Sequence, residues 1–463
     1  MQTVNLYSSV DEILTEAKKT INHRVSEFNV NNRSLEKNNK GAIGQIVEEG
    51  VFHYPINSNH EADFANLGVE LKVTGLKKLK NEHYAMKERL VLNIINYIDE
   101  AKADFDHSSF YVKCKKMLLL FYLYDANLDN FDFKFIGPYL HEFAPEDLEI
   151  IKNDWEIIHH KIIDGDAHNI SEADTMYLGA CTKGAGGVAN LREQPYSDIK
   201  AKQRAFCLKA SYMNTIVDAL YNNENSEHIF TYDQLKKQTF DYLIENSLNK
   251  YIGKSEDELF NMFDLDKNSK SRFNLLVGKM LGIKGVINKT DEFKKGNIEL
   301  KTIRVEEDGH IREHMSFPYF KYTELYQEEW DESQINDLFS TKKFMFVIFK
   351  KKDEIYYFDR IKFWNMPFDD IENYVKPIFE ITKNCIVSGN IVKEETKSKY
   401  ITNLPGSNYN GVCHVRPHDQ KSIRSSNAGL DLPVPDRVTG LTRYTKYCFW
   451  LDRRYIQKII EEN

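Results

Sequence analysis

The feature that most constrains this chain is that its second half runs through similar elements in the same order as its first half. The segment "GVELK" in the first half has a counterpart, "NIELK", in the second, and the apolar stretch at 115–125 has a counterpart at 342–352. Related aromatic peptides also close the two halves. Several matches in register predict a duplicated domain, because a repeat whose elements recur in order is one structural unit.

The length and composition of the chain agree with this division. A chain of 463 residues is longer than one hydrophobic core usually supports. Hydrophobic residues make up 41% of the sequence, and 28 Phe and 26 Tyr supply material for two cores. The polar tract "YNNENSE" is the natural seam. We therefore predict two domains, at residues 1–225 and 226–463.

The sequence shows no signal for a membrane or for secretion. No apolar run approaches the length that spans a bilayer, and the start of the chain lacks a basic stretch followed by an apolar one. The six cysteines are scattered without a C-x-x-C pair, which argues against a disulfide framework and a zinc ribbon. We expect a cytoplasmic protein with no membrane contact, whose cysteines are reduced packing residues.

The charge of the chain is unevenly distributed. The net charge of -8 by itself disfavours a nucleic-acid partner. Two stretches, at 72–89 and 183–209, are nevertheless locally basic. Each stretch is either a solvated face or part of a positive groove, and the charge pattern alone does not decide between them.

Two carboxylates and a lysine surround the short apolar run in "DFANLGVELK". The run predicts a strand, and its alternation places Glu70 and Lys72 on one face. With Asp63, Glu70 offers the oxygen ligands that Mg²⁺ prefers, and Lys72 can orient or deprotonate the attacking water and offset charge on the phosphorane. Glu48, on the preceding helix, adds a metal or water contact. A lone E-x-K pair is more often an ion pair on a solvated sheet.

Five stretches resemble the motifs of the MutH family, and above all of its two-domain members, the type II restriction endonucleases of the Sau-three-A kind: "NKGAIGQIVEEG", "DFANLGVELK", "KERLVLNIINY", "LREQPYSDIKAKQRAFCLK" and "CHVRPH". The resemblance implies an α/β fold of two tandem restriction-endonuclease-like domains of the PD-(D/E)XK class, each with a mixed central sheet flanked by helices. It also implies Mg²⁺-dependent double-strand cleavage of DNA ahead of the G in GATC, in a restriction-modification system.

The resemblance assigns the family's catalytic roles to the residues at the matching positions of this sequence. Asp63, Glu70 and Lys72 would be the catalytic core, and Glu48 the helix carboxylate, so that Asp63, Glu70 and Glu48 would bind the metal. Lys87, in "MKERLV", would match a further active-site lysine of the family, although this alignment is loose.

The second half resembles the family's degenerate copy, which binds a second GATC as an allosteric effector without cutting. Glu292, Glu299 and Lys301 stand at the positions of Asp63, Glu70 and Lys72. Glu292 is one methylene longer than Asp, and Gly282 replaces the helix carboxylate. Small misplacements in such sites cost large rate factors, so we predict a non-catalytic domain.

Base reading is predicted for the basic segment at 183–209. Arg192 suits guanine and Gln194 suits adenine, although either could instead contact phosphate or close a loop. The peptide "HVRPHD" at 414–419 could be a metal or phosphate contact, and we favour a DNA-contacting loop. The remaining predicted DNA contacts are Lys183, Lys200, Lys202, Arg204, Cys207, Lys209 and Arg416.

Cys207 stands where MutH-like nickases carry a tyrosine that senses the adenine N6 group. A smaller side chain leaves room for a methyl group, which predicts tolerance of adenine methylation. Double-strand cleavage by one active site also predicts a transient homodimer on DNA, with two GATC sites per active assembly. Two alternatives stay open: a strand-nicking mismatch-repair endonuclease and a catalytically silent GATC-binding protein.

Overall fold

The computed structural model describes residues 6–34, 41–54, 61–183, 190–396, 400–418 and 429–462. The chain divides into two compact units. The first unit comprises Met1–Leu243 with Lys289–Asn297, and the second comprises Ile244–Asn288 with Ile298–Asn463. Within the described residues, no helix combines the length and the apolar character needed to cross a membrane.

Helices and strands alternate along the chain. The α-helices are α1 Val10–Lys18, α2 Ala42–Gly50, α3 Tyr97–Glu100, α4 Ser109–Cys114, α5 Pro145–Ile163, α6 Ala210–Val217, α7 Tyr232–Leu235, α8 Phe240–Asn249, α9 Glu256–Met262, α10 Arg272–Met280, α11 Asp291–Lys295, α12 Tyr322–Leu325, α13 Gln334–Thr341, α14 Phe368–Asp370, α15 Lys376–Val387 and α16 Arg453–Glu461. The strands are β1 Glu70–Lys78, β2 Tyr84–Met86, β3 Leu90–Ile94, β4 Lys116–Tyr124, β5 Lys134–Glu142, β6 Leu178–Thr182, β7 Leu191–Gln194, β8 Ser197–Lys202, β9 Arg204–Leu208, β10 Ile298–Val305, β11 Met315–Tyr319, β12 Lys343–Lys352, β13 Ile355–Trp364, β14 Val392–Glu395, β15 Tyr400–Thr402, β16 Cys413–Pro417, β17 Leu430–Asp431, β18 Arg443–Tyr444 and β19 Tyr447–Leu451.

The main sheet of the first unit is mixed and has the order β2-β1-β4-β5. Strand β1 runs parallel to β4, whereas β2 and β5 pair antiparallel at the two sides. The sequence of β4 is almost continuously apolar because both of its faces are covered, and Met117 through Phe121 are fully buried. Ile13 of α1 and Ile46 of α2 belong to the core beside this sheet.

A second, antiparallel sheet in the first unit has the order β3-β9-β6. Strands β7 and β8 form a separate hairpin immediately before β9. The amphipathic stretch "PEDLEIIKNDWEIIHHKII" begins with a proline and acidic residues, which predicts a helix that starts at Pro145. Helix α5 begins there and buries Trp155 and Ile158 among other apolar residues.

The second unit contains the same kinds of strand pairing. Strand β10 runs parallel to β12, which pairs antiparallel with β13. Strands β11, β19 and β16 form an antiparallel sheet with β19 in the centre. Mixed sheets with surrounding helices confirm the predicted α/β class.

The stretch "VDEILTEAKKTINHRVSEF" carries apolar residues at three and four residue spacing, which predicts one helix near the start of the chain. The helix that forms is shorter than this pattern. Helix α1 ends at Lys18, and Asn22 has a positive φ of 65°. The backbone N–H groups of Asn22 and Val25 donate to the carbonyls of Phe135 and Phe133 in and beside β5. Pairing with the edge of the sheet therefore ends the helix although its apolar periodicity continues.

Candidate active site

A tight turn brings the first two predicted carboxylates together. Phe64 and Val69 form an antiparallel bridge, and Gly68 closes the turn between them with a φ of 62°, which favours glycine. Across this bridge the Leu71 N–H donates to Asp63 Oδ2 at 2.9 Å, and the Asp63 N–H donates to Glu70 Oε2 at 3.2 Å. The backbone thus fixes both carboxylates at the start of β1.

Two lysines contact the same carboxylate. Lys72 Nζ donates to Glu70 Oε1 at 2.7 Å and to the Leu92 carbonyl at 2.9 Å. Lys113 Nζ, from α4, lies 3.6 Å from the same Glu70 oxygen. The sequence analysis missed Lys113. No local pattern in the sequence marks Lys113. The parallel pairing of β1 with β4 places Glu70 opposite Met117, so the residues just before β4 lie near Glu70.

Glu48, on α2, completes an acidic cluster with Asp63 and Glu70. Burial raises the pKa of Glu48 to about 7, with further contributions from the charges of Asp63 and Glu70. Burial also raises the pKa of Asp63 to about 6, again with a contribution from Glu70. These shifts mean that Glu48 and Asp63 lack enough positive charge nearby to ionise at their usual pH.

The Lys72 side chain is an ammonium ion at neutral pH. Its burial lowers its pKa, but the neighbouring Glu70 carboxylate, with smaller contributions from Cys114 and Asp63, raises it above the ordinary value overall. The sequence left two roles open for Lys72, as a base or as a cation. The ion pair with Glu70 favours the cation.

Tyr54 is a further residue at the acidic cluster that the sequence analysis missed. Its backbone N–H donates to the Glu48 carbonyl, and its ring packs edge-on against Phe64 at 5.6 Å between centroids. Its hydroxyl oxygen is buried and has no hydrogen-bond partner among the described residues. Burial raises its pKa, with contributions from Asp63 and Glu48, so the hydroxyl is a donor beside the cluster.

The acidic cluster fits a hard divalent cation. Glu48, Asp63 and Glu70 supply oxygen ligands. The raised pKa values of Glu48 and Asp63 show that a positive charge would be stabilised among them. The orphaned Tyr54 hydroxyl provides a donor for a water or phosphate oxygen bound nearby.

Lys87 does not lie with the acidic cluster. Its backbone N–H donates to the Gly75 carbonyl, five residues along β1 from Glu70, which is about 16 Å at the rise of a strand. Its ammonium lies 4.3 Å from the centre of the Tyr124 ring, at the opposite end of β4. We therefore replace Lys87 by Lys113 in the proposed catalytic group.

The predicted DNA contacts divide by exposure. Arg192 and Lys200 are exposed on the β7–β8 hairpin, where Arg192 donates to Gln203 Oε1 and Lys200 pairs with Glu193 at 2.6 Å. Lys183 and Lys202 are half-buried near the same hairpin, and Lys183 N–H donates to the Gln203 carbonyl. Contact of these four residues with DNA stays a prediction.

Four other predicted contacts are buried in this structure, and their contact with DNA stays a prediction. Gln194 bonds the Ala167 N–H and the Ile199 carbonyl, and so closes its own hairpin. Arg204 donates to the Ala180 carbonyl, and Lys209 donates to the Thr175 carbonyl. Cys207 is fully buried against Cys181. The residue type alone does not show whether a polar side chain on a strand faces the solvent or the protein interior.

Two apolar side chains at this hairpin are unusually exposed. Tyr196, at the tip of the β7–β8 hairpin, is 81% exposed, and Ile199 is 56% exposed. The tip also requires a positive φ of 62° at Tyr196. Neither residue was predicted from the sequence, because an aromatic or aliphatic side chain in a strand usually indicates core packing.

The second unit has a partial counterpart of the acidic cluster. Glu299 pairs with Lys301 at 2.7 Å and also with Lys342, which stands just before β12 as Lys113 stands before β4. Glu292 instead belongs to the first unit, where its carboxylate accepts hydrogen bonds from the backbone N–H groups of Ile229 and Phe230. Gly282 follows the end of α10 with a φ of 83°, so its position is not on a helix.

Arg416 lies on β16 in the second unit. Its side chain is exposed, and its guanidinium carbon is 5.5 Å from the centre of the Trp450 ring. Of the peptide "HVRPHD", Asp419 lies outside the described residues, and His414 is buried rather than presented on a loop.

The class of protein follows from this site and from its likeness to known proteins. A family model described as "DNA mismatch repair enzyme MutH" matches residues 52–154, which contain Asp63, Glu70, Lys72 and Lys113. The site and this match define a MutH-like nuclease that acts on DNA and depends on a divalent metal ion.

The nearer relationship is to a restriction enzyme. "Type II restriction enzyme Sau3AI" of Staphylococcus aureus is 34% identical over 489 residues, which cover 98% of this chain and 99% of that protein. The chain therefore belongs to the family of MutH-like type II restriction endonucleases similar to Sau3AI, and it is a site-specific deoxyribonuclease.

Proposed function

We propose that this protein makes Mg²⁺-dependent double-strand cuts at GATC, ahead of the G, and leaves 5′-phosphates. The observation that carries the proposal is the convergence of Glu48, Asp63 and Glu70 with two lysines at the start of β1. The length of the match to Sau3AI supports the same class of target, because it extends over both halves of the chain.

Asp63, Glu70 and Glu48 would hold the ion, which when bound would activate a water molecule and polarise the phosphate. Lys72 offsets the negative charge that develops on the phosphate oxygens, since it is held as an ammonium ion by Glu70. Lys113 contributes a second positive charge from α4. The buried Tyr54 hydroxyl, which has no hydrogen-bond partner among the described residues, would donate to the water or to a phosphate oxygen and so orient it.

The β7–β8 hairpin is proposed as a DNA-contacting element. Arg192 and Lys200 are exposed there, and Tyr196 projects from its tip. Arg192 could read guanine or contact phosphate. Cys207, on the adjoining β9, is fully buried. The proposed tolerance of adenine methylation therefore rests on the absence of a tyrosine at that position and not on a contact of Cys207 with DNA.

The second half, residues 226–463, is proposed to be a tandem copy that binds DNA as an effector, and residues 1–225 to be the catalytic domain. Its support is the repeated strand pairing, with β10, β12 and β13 arranged as β1, β4 and β5 are. The proposal also includes a transient homodimer that engages two GATC sites.

The test is cleavage of plasmid DNA that carries no, one or two GATC sites, each with methylated or unmethylated adenine. We expect Mg²⁺-dependent cutting only at GATC, faster on two sites, and insensitive to adenine methylation. Asp63→Asn should bind the same DNA and not cut it. Single-strand nicks would indicate a mismatch-repair type of enzyme, and binding without cutting by the wild type would indicate a silent binder.

A further inference from the structure

A cluster of potential metal ligands lies in the second unit and includes the first histidine of "HVRPHD". His314 stands just before β11, His414 lies on β16, and Asp452 follows β19. Strand β19 is the centre of this sheet, and its last residue, Leu451, pairs with Met315 on one side and Cys413 on the other. The register therefore gathers three side chains from distant parts of the sequence at one end of the sheet.

The buried histidine of this cluster lacks hydrogen bonds. The His414 side chain is 1% exposed, and neither of its ring nitrogens has a hydrogen-bond partner among the described residues. A buried polar group without a partner is destabilising, and a native structure usually provides one. A bound ion would use the free nitrogen lone pair of the neutral ring.

The other two residues face His414 closely. The rings of His314 and His414 pack edge to face with 4.8 Å between centroids. His314 Nδ1 lies 3.8 Å from Asp452 Oδ2 and accepts the N–H of Arg453 at 3.2 Å. One ligand atom from each residue lies within 4.8 Å of the other two. Zinc held at about 2.0–2.2 Å separates its ligands by roughly 3.3 Å, so closure needs only a small movement of side chains.

The donor set and the surrounding charge select the kind of ion. Two imidazole nitrogens and one carboxylate oxygen suit zinc and similar transition ions, whereas Mg²⁺ and Ca²⁺ take oxygen ligands. Arg454 binds both oxygens of Asp452, with three hydrogen bonds at 2.9 Å counting its backbone N–H, and Arg416 is also close enough to act on both imidazoles. These two arginines disfavour a cation that is bound only by electrostatic attraction, without the coordinate bonds that imidazole nitrogens form with transition ions.

We propose that His314, His414 and Asp452 form a binding site for a borderline divalent metal ion such as Zn²⁺, separate from the catalytic carboxylates. Such an ion joins the start of β11, the strand β16 and the start of α16. A ligand that bridges three distant segments stabilises the folded state, because the unfolded chain does not bring them together. A bound ion would therefore stabilise the second unit.

The test measures zinc binding to the full-length protein in excess Mg²⁺, which occupies oxygen-rich sites. Chelator-treated protein is supplied with Zn²⁺, passed through a desalting column, and analysed for metal. We expect about one retained Zn²⁺ per chain, and the visible absorption bands of a low-coordinate ion when Co²⁺ replaces it. Zn²⁺ should also raise the midpoint of thermal unfolding.

His314→Asn and His414→Asn should each weaken Zn²⁺ binding by more than about 100-fold, beyond the usual effect of losing an outer-shell partner. His310→Asn, an exposed histidine of the same unit, should retain the metal. His314 is 16% exposed, so its substitution decides the question if the His414 variant does not fold. Failure of the wild type to retain Zn²⁺, or equal retention by the folded His314 variant, would overturn the proposal.

Discussion

At the scale of single residues, burial and the neighbouring carboxylates make the ionised form of Glu48 unfavourable in the metal-free protein. The effect of Glu48 on stability has a definite sign. Burial first, and then the neighbouring carboxylates, raise the pKa of Glu48 from 4.5 to about 7. Between these values the folded state binds the proton more tightly than the unfolded state does. Glu48 therefore makes the metal-free protein less stable as the pH rises from about 4.5 through about 7.

Glu48→Gln should accordingly stabilise the metal-free protein at about pH 8 and leave its stability nearly unchanged at about pH 4, where Glu48 is protonated in both states. The measurement is the urea midpoint at each pH with a chelator present. Glu49→Gln is the matched control with the opposite sign. Hydrogen bonding to Arg33 lowers the pKa of Glu49 to about 2, so its loss destabilises above the unfolded pKa. Destabilisation by Glu48→Gln at about pH 8 would contradict the argument.

Lys113 and Lys87 provide a second test at this scale. Lys113→Met should lower kcat by about 100-fold or more with DNA affinity little changed, because it removes a positive charge 3.6 Å from Glu70. Lys87→Met should cut at close to the wild-type rate, since its ammonium contacts Tyr124. Single-turnover cleavage at saturating enzyme separates the chemical step from binding. The reverse result would restore Lys87 to the catalytic group.

At the scale of elements, the sequence predicted the helices and strands whose apolar pattern is visible within a few neighbouring residues. The apolar run of β4, the alternation of Glu70 and Lys72, and the start of α5 at Pro145 are each visible in a short window. Lys113 was not predictable in this way, because its place depends on the parallel pairing of β1 with β4. For Gln194 the sequence left base reading, phosphate contact and loop closure open, because its burial depends on contacts with the segment at 167–168.

The β7–β8 hairpin gives the prediction at this scale. Tyr196→Ala should weaken DNA binding about tenfold and leave kcat at saturating DNA unchanged. The Tyr196 ring is 81% exposed, so it contributes little to the fold and is free to pack against DNA. Tyr242→Ala, at an exposed tyrosine on α8, is the control. Binding is measured without Mg²⁺ by fluorescence anisotropy, and equal affinities of the two variants would exclude a DNA contact by Tyr196.

At the scale of the whole molecule, the two halves keep part of the same site. Glu299, Lys301 and Lys342 reproduce the arrangement of Glu70, Lys72 and Lys113 before and along a parallel strand pair. The remaining ligands differ. The Glu292 carboxylate accepts hydrogen bonds from the backbone N–H of Ile229 in the first unit. Gly282 lies beyond the end of α10, in a backbone conformation that favours glycine. Two carboxylate ligands are thereby lost, while the ion pairs that neutralise Glu299 remain.

A matched pair of substitutions tests whether this second site is silent. Glu70→Gln should lower cleavage of a plasmid with two GATC sites by about a thousandfold or more, because it removes a metal ligand and the partner of Lys72. Glu299→Gln makes the same chemical change and should alter the rate by no more than a few-fold. Burial raises the pKa of Glu299, but the ion pairs with Lys301 and Lys342 lower it below its usual value overall. The negative charge of Glu299 is therefore neutralised without a metal ion. A comparable loss of cutting in both variants would show that the second half also catalyses hydrolysis.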